Sequence, residues 1–330
     1  MTGDISEYDR RILERYVGKL HLKPSSESNA PLKDQPPNSP DNNPPVSNST
    51  IDDLIKHGHP YHNTDSMKIK GNDGKENSIS VGVAHSLRDA RNAVGVNGNV
   101  ANLPYLIAGK ALAPKDNYLH KNWLTSSTEE DVGIDTVGIL GSKSIGKPIL
   151  LVVHGKIGLL TSDYNRILKA YSDGLTQQNA AKYTSQEWDA FLSKVSKSTV
   201  YTIEDVEKNQ IIDPFGDHII ALDFDTAKSI VSGHYQKTDF MRNKVVLARA
   251  STMQYLEKYF DNHFTNVVDT NTVGNWHRFN EINPNDPQGR LLFVDYDNLG
   301  LFGHDYLYGY GCFVGVGSAG GAVGARKKSI

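Results

Sequence analysis

A chain of 330 residues, of which 38% are hydrophobic, is long enough for one large domain or two ordinary domains with a buried core. Its net charge of -3 gives no electrostatic basis for binding nucleic acid, and its single cysteine, Cys312, excludes an internal disulfide and a cysteine-based zinc cluster. An acidic N-terminus and the absence of any run of roughly 20 apolar residues predict a cytoplasmic protein with no membrane partner.

The first 50 residues divide into two segments of different composition. Residues 1–22 are predicted to form a helix, because Ser6 can cap it and Tyr8, Ile12 and Tyr16 recur on one face. Residues 23–50 hold half of the chain's 14 prolines among Ser, Asn and Asp, and such a segment cannot bury enough apolar surface to offset its ordering entropy. We therefore expect a disordered linker and a flexible N-terminal extension.

The remaining residues, 51–330, are predicted to form a globular α/β body that could divide into subdomains at residues 51–135 and 136–330. Helices are expected at 87–94 and 103–112. After residue 137, apolar runs alternate with amphipathic helices, which begin near Ser162, at Thr184 with its capping-box partner Glu187, and at Ser251 with Gln254. This alternation predicts a layered sheet, parallel or mixed, flanked by helices.

Four apolar runs are interpreted as buried strands, and each ends at polar side chains. The runs are Ile149–Val153 before His154, Ile219–Leu222 before Asp223 and Asp225, Val245–Ala248 before Ser251 and Thr252, and Leu291–Val294 before Asp295 and Asp297. Open α/β sheets build binding crevices at the carboxyl ends of their strands. The polar groups at these ends are therefore expected to share one site.

The last three of these pieces resemble, in order and setting, the motifs of haloacid dehalogenase-like phosphatases. The resemblance implies that Asp223 is the nucleophile and Asp225 the proton shuttle. It further implies that Ser251 or Thr252 holds the phosphate. The chain departs from that family's pattern at Ala227, where the family has Thr or Val. The family's lysine has no convincing counterpart, since Lys258 lies inside a predicted helix.

The same resemblance implies that Asp295 and Asp297 hold a magnesium ion. Magnesium prefers oxygen ligands, and a hard cation makes a carboxylate a competent nucleophile toward phosphorus. The sequence thus predicts a magnesium-dependent phosphate-ester hydrolase that acts on a small phosphorylated molecule. Aspartates at strand ends also commonly form turns and cap helices, and that interpretation stays open.

A turn-rich segment, Trp276–Glu281, carries His277 and Arg278, which together with a carboxylate could bind an anionic ligand. Equally, Trp276 and Phe279 could pin a long loop to the core. His57, His59 and His62 have spacing that could bind a metal ion, although surface histidines are the more frequent case.

Three other motifs do not support a function. The glycines of 141–147 lack the Ser or Thr and the following helix of a P-loop, and no Gly-x-Ser-x-Gly elbow in a usable position follows His154 as an α/β-hydrolase needs. Leu299 and Tyr306 remove two oxygen ligands from the calcium-loop-like run at Asp295. The alternative to the hydrolase is a non-enzymatic interaction or structural protein that binds a protein partner through its N-terminal helix and aromatic C-terminal region.

Overall fold

The structure is a computed structural model that describes residues 51–70, 76–95, 98–195, 200–303, 307 and 309–317. These residues belong to one compact unit that spans Pro45–Ile330. The helix predicted at 1–22 and the linker predicted at 23–50 lie outside the described residues.

The described helices are mostly short, and none is long and apolar enough to cross a membrane. They are α1 (Ile51–His57), α2 (Gly82–Val94), α3 (Leu103–Leu112), α4 (Tyr118–Lys121), α5 (Tyr164–Asp173), α6 (Ser185–Lys194), α7 (Ile203–Glu207), α8 (Phe224–Ser229), α9 (Lys237–Arg242), α10 (Lys244–Ala250) and α11 (Leu256–Tyr259), which continues as a π-helix over Phe260–Val268.

Most of the described strands join one large sheet. They are β1 (His59–Asn63), β2 (Ser66–Lys70), β3 (Glu76–Ser80), β4 (Asn99–Val100), β5 (Leu124–Ile134), β6 (Pro148–His154), β7 (Ala181–Lys182), β8 (Val200–Tyr201), β9 (His218–Asp223), β10 (Gly233–Gln236), β11 (Thr272–His277), β12 (Gln288–Val294), β13 (Leu301–Gly303) and β14 (Gly311–Val316). Only β2 and β3 pair outside it, as a separate two-stranded sheet among the described strands.

The large sheet has the order β10-β11-β13-β12-β5-β6-β9-β8, with β14 pairing β5, β1 and β4, and β7 pairing β12. Its central pairs, β12 with β5, β5 with β6 and β6 with β9, are antiparallel, whereas β11 with β13, β8 with β9 and β14 with β5 are parallel. The prediction of a mixed sheet flanked by helices is confirmed. β5 and β6 are consecutive strands joined by residues 135–147, and they pair as an antiparallel hairpin.

An apolar core lies on each face of the sheet. One contains Val132, Leu150 and Val152 together with residues of α3, α10 and α11. The other contains Ile149, Leu151 and residues of α2, α5 and α6. Because side chains alternate along a strand, adjacent residues of β5 and β6 point into different cores.

The run Val245–Ala248 is a helix, so its prediction as a strand is wrong. All four side chains are buried, and a fully apolar run has no periodicity that separates a strand from a helix. The local signal was Asn243, whose Oδ1 accepts hydrogen bonds from the backbone N–H groups of Val245 and Val246 at 3.0 and 3.1 Å and caps α10.

The helix predicted to begin at Ser251 is also wrong. Ser251 has a φ of 56° and ends α10, with its N–H donating to the Leu247 carbonyl at 2.9 Å, and the next helix begins only at Leu256. By contrast, the Thr184–Glu187 capping box and the strands at 148–154, 218–223 and 288–294 are present as the sequence predicts.

Candidate functional site

Asp223 and Asp225 lie at the start of α8. The Asp223 carboxylate caps that helix, since its Oδ1 accepts from the Thr226 N–H at 2.8 Å and from the Thr226 hydroxyl at 3.0 Å. Asp225 is exposed in the first helical turn, where a negative charge interacts favourably with the helix dipole. The contacts of Asp223 are those of a helix cap.

Asp295 and Asp297 lie in the turn between β12 and β13. The Tyr296 N–H donates to Asp295 Oδ1 at 2.6 Å, and the Leu299 N–H donates to Asp297 Oδ1 at 2.9 Å. Within the described part of the chain, no three His, Cys, Asp or Glu side chains are grouped as a metal ion requires. The predicted magnesium site stays a prediction.

The sheet places Asp223 and Asp295 at opposite ends. Asp223 pairs with Ile149, which faces Gly133 near the end of β5, whereas Val294 pairs with Leu124 at the start of β5. Nine residues of extended strand correspond to on the order of 25 Å once the irregular pairing of β12 with β5 is allowed for. The two acidic pairs therefore do not form one pocket, because the strands that carry them do not run in the same direction relative to β5.

Ser251 and Thr252 lie away from both acidic pairs, in a buried histidine cluster. Ser251 is 1% exposed, and its Oγ lies 2.7 Å from His218 Nε2 and 2.9 Å from His154 Nε2. The two imidazole rings stack with centroids 4.5 Å apart. Thr252 accepts a hydrogen bond from the Gln254 N–H at 3.2 Å, so it forms the turn after α10.

His277 is the last residue of β11 and Arg278 follows it, and neither side chain joins the acidic pairs or the histidine cluster. The His277 ring stacks on Phe279 at a centroid distance of 4.3 Å, and the His277 backbone N–H donates to Ser232 Oγ at 3.0 Å. An Arg278 guanidinium nitrogen lies 3.8 Å from Glu281 at the surface. These contacts fit a loop pinned to the core by Phe279, which is 1% exposed.

Of the three N-terminal histidines, His57 and His59 are exposed and His62 is half-buried. His59 and His62 are three positions apart on β1, so their side chains project to opposite faces of that strand. The structure thus does not bring these three imidazoles together.

A groove of about 470 Å³ lies between α8 and α9 at the edge of the sheet formed by β10. We call it the α8–α9 groove. Its lining is Thr226, Ser229, Ile230, Val231, Tyr235, Asp239, Arg242, Asn243 and Lys244. Val231 is 75% exposed, whereas Ile230 and Tyr235 are half-buried, so the groove presents an apolar surface to solvent.

Polar groups of the α8–α9 groove are arranged around that apolar surface. Arg242, Lys244 and Asp239 are exposed at its edge, giving one excess positive charge among the lining residues. The buried amide of Asn243 faces the Tyr235 hydroxyl, and its Nδ2 makes no aligned hydrogen bond within the described residues. The Asn243 side chain therefore packs against Tyr235 in the buried wall of the groove.

Behind this edge of the sheet, a buried ion network connects three elements. Glu130 of β5 and Arg249 of α10 are both fully buried and form two hydrogen bonds, 2.8 Å from Arg249 Nε to Oε1 and 3.1 Å from Nη2 to Oε2. Arg249 also donates to Asn275 Oδ1 of β11 at 2.6 Å and to the Trp276 carbonyl at 3.1 Å. The network holds β11 and α10 against the central strand.

The opposite face of β5 buries two further acids. Glu129 accepts three backbone N–H groups, from Leu159, Leu160 and Thr161, at 2.5, 2.8 and 2.6 Å. Asp131 accepts the Tyr183 hydroxyl at 2.8 Å. Burial raises the pKa of Asp131 well above its ordinary value, and the neighbouring Glu129 charge raises it further.

A third buried cluster centres on Lys110, which is 0% exposed. Its Nζ donates to the Asp295 carbonyl at 2.8 Å and lies 3.4 Å from His263 Nε2, while His263 Nδ1 lies 3.0 Å from His120 Nδ1. Burial lowers the Lys110 pKa to about 7. This cluster joins α3, α4 and the π-helix to the turn after β12.

Sequence reasoning missed the groove and the partners in all three buried clusters. Asn243 could have been found, because Asn before an apolar run is a helix-cap signal. Arg249, Tyr183 and His263 carry no such signal, since their partners are distant in the chain.

No protein-family model and no curated protein matches this chain. A solved structure does match it, over 79% of this chain and 98% of its own, with 22% identity and a TM-score of 0.56. That structure concerns the C-type lectin fold and its accommodation of massive sequence variation in Nanoarchaeota. At this identity the likeness shows the fold alone.

Proposed function

We propose that this protein is a binding scaffold that recognises a partner protein through the α8–α9 groove, and that the groove's exposed side chains determine which partner it binds. The observation that carries the proposal is that the side chains which hold the sheet together are buried, whereas those of the groove are exposed and separate from them. Glu130 and Arg249, which hold the strands together, are fully buried, whereas Val231, Arg242 and Lys244 of the groove are exposed. Exposed side chains away from caps and cores usually change stability little when replaced.

The fold supports the same proposal. The C-type lectin fold accommodates massive sequence variation in the matching nanoarchaeal structure, and we propose that the groove of this chain tolerates variation in the same way. The excess positive charge and the exposed Val231 side chain favour a partner segment with an aliphatic side chain next to a carboxylate.

The test uses two display libraries built on the full chain. One randomises five exposed groove positions, Ser229, Val231, Asp239, Arg242 and Lys244, and the matched control randomises five exposed positions on α6, Ser185, Gln186, Ala190, Ser193 and Lys194. Both libraries are selected against one purified acidic protein, and pooled clones are examined by thermal unfolding. We expect folded binders from the groove library and none from the α6 library. Equal enrichment from both, or general unfolding of the groove library, would contradict the proposal.

Magnesium-dependent phosphate-ester hydrolysis stays a prediction from the sequence, with a separate test. Hydrolysis of p-nitrophenyl phosphate with magnesium is measured for the natural chain and for Asp223→Asn. A rate that depends on Asp223 would support the hydrolase, whereas equal background rates would remove it. Because the Asp223 carboxylate caps α8, thermal unfolding of the variant is needed to separate lost chemistry from a lost cap.

A further inference from the structure

A second cavity, of about 380 Å³, lies between the loop before β9 and the end of α10. Its lining is Asn209, Ile211, Ile212, Pro214, Ser251, Thr252 and Gln254. Ile212 is 93% exposed, whereas Thr252 and Ser251 are 8% and 1% exposed. The cavity therefore leads from an apolar outer edge to the buried Ser251, whose hydroxyl group contacts two imidazoles.

The hydrogen bonds around Ser251 fix the hydrogen positions on both rings. His218 Nδ1 lies 3.1 Å from the Gly216 carbonyl, which can only accept, so Nδ1 carries the hydrogen and Nε2 is left to accept the Ser251 hydroxyl at 2.7 Å. His154 Nε2 lies 3.0 Å from the Ala248 carbonyl and therefore carries its hydrogen, while His154 Nδ1 accepts from Thr128 at 3.1 Å. Of the two imidazoles, only His218 presents a basic nitrogen to Ser251.

The backbone and the protonation state fit this arrangement. Ser251 holds a φ of 56°, which a non-glycine residue adopts at a cost, and strained residues of this kind cluster at functional sites. Burial lowers the pKa of His218 to about 4, so the ring is neutral at neutral pH and its Nε2 lone pair accepts the Ser251 hydroxyl.

We propose that Ser251 is a nucleophile activated by His218, and that this cavity takes a small ester. In the acylation step Ser251 Oγ attacks the carbonyl carbon and its proton passes to His218 Nε2. The C–O bond of the ester breaks, and the alcohol leaves with that proton. Water then attacks the acyl-serine in the same manner and releases the acid. The site is separate from the α8–α9 groove, so the two proposals fail independently.

A fluorophosphonate probe tests the nucleophile, because it forms a stable bond to an activated serine with loss of fluoride. Mass spectrometry of the labelled natural chain is expected to locate the adduct on Ser251. Ser251→Gly, which suits the positive φ, should remove the labelling, whereas Ser193→Ala removes an exposed hydroxyl on α6, outside the cavity, and should leave it unchanged.

The role of His218 is tested by the rate of labelling. His218→Gln is expected to slow it by about 100-fold, the lower end of what general-base catalysis contributes. His154→Gln leaves the basic nitrogen of His218 in place, so its labelling should slow less. No adduct on the natural chain, an adduct on another residue, or equal rates in the two histidine variants would overturn the proposal. Site mapping on the natural chain decides the question even if a variant fails to fold.

Discussion

The two faces of β5 bury neighbouring acids in different ways. On one face Glu130 keeps a guanidinium partner, since Arg249 is fully buried beside it, and Arg290 lies directly opposite on β12. On the other face Glu129 and Asp131 have backbone N–H groups and the Tyr183 hydroxyl as partners. The faces thus use full charge on one side and neutral donors on the other.

The difference decides which face tolerates the loss of a partner. A buried ion pair repays its desolvation cost only while both members are present, and removing one leaves an uncompensated charge. On the other face burial raises the pKa of both Glu129 and Asp131, although their hydrogen-bond donors act in the opposite direction, so these carboxyl groups can take up a proton. We therefore expect loss of a partner on the Glu130 face to lower the free energy of unfolding strongly. On the Glu129 face we expect the free energy of unfolding to depend on pH.

Arg249→Met should have the largest effect. Methionine fills much of the volume but leaves Glu130 buried without its guanidinium, so the free energy of unfolding should fall by about 3–5 kcal/mol. Urea unfolding followed by circular dichroism measures the loss. The double variant Glu130→Gln/Arg249→Met carries no buried charge at these positions and should be more stable than Arg249→Met alone. A double variant that is less stable than the single one would contradict this, and would show that the Glu130 carboxylate contributes through a partner other than Arg249, such as Arg290 opposite it on β12.

Asp131→Asn should change the pH dependence of stability on the other face. The pKa of Asp131 is raised in the folded state above its value of 3.8 in an unfolded chain. Between these two pKa values the folded state binds more protons than the unfolded state, so the free energy of unfolding falls as pH rises through that range. Asparagine has no proton to lose. The free energy of unfolding of the variant minus that of the natural chain should therefore increase with pH, by at most about 1.4 kcal/mol for each pH unit. Urea titrations between about pH 5 and pH 8 test this, and parallel curves for the two proteins would contradict it.

Tyr183→Phe should have a smaller effect on the same face. It removes the hydroxyl that donates to Asp131 Oδ1 and leaves a buried oxygen without that partner, for an expected loss of about 1–3 kcal/mol. The ring keeps its place in the core. Combined with Asp131→Asn, the two losses should not add, because both changes act on one hydrogen bond. If the losses in the free energy of unfolding were additive in urea unfolding, Tyr183 would contribute through its packing and not through the hydrogen bond to Asp131.

The elements that the sequence predicted well have local signals. The helix at Ser185–Lys194 follows from its capping box, and the strand at Pro148–His154 follows from an apolar run with turn residues on both sides. The run at Val245–Ala248 shows the limit, because four apolar residues fit a strand or a buried helix equally well. No local pattern in the sequence indicates strand direction either. The alternation of strands and helices favoured parallel neighbours, whereas β5 with β6 and β6 with β9 are antiparallel.

Whether the predicted site residues meet depends on the direction of the strands that carry them more than on residue type. Asp223 and Asp295 are strand-end acids as the sequence indicated, but antiparallel pairing puts them at opposite ends of the sheet. The run Glu129, Glu130 and Asp131 gives no sign of burial, because three consecutive acids are typical of a surface. Arg249, the partner of Glu130, is 119 residues away, and no local pattern connects them.

Glu187→Gln should have the smallest effect and sharpens the comparison at the edge of the neutral face. Arg166 lies with its guanidinium 5.2 Å from the Tyr183 ring centroid and its Nε 3.1 Å from Glu187. Glutamine preserves the capping box with Thr184 while removing the charge, so only the partly exposed ion pair is lost, at a cost of about 0.2–1 kcal/mol that high salt should reduce. If the positive charge of Arg166 instead stabilised the buried carboxyl groups of Asp131 and Glu129, loss of the Glu187 charge would change the pH dependence of the free energy of unfolding in urea. An unchanged pH dependence would show that the neutral donors hold this face without a cation.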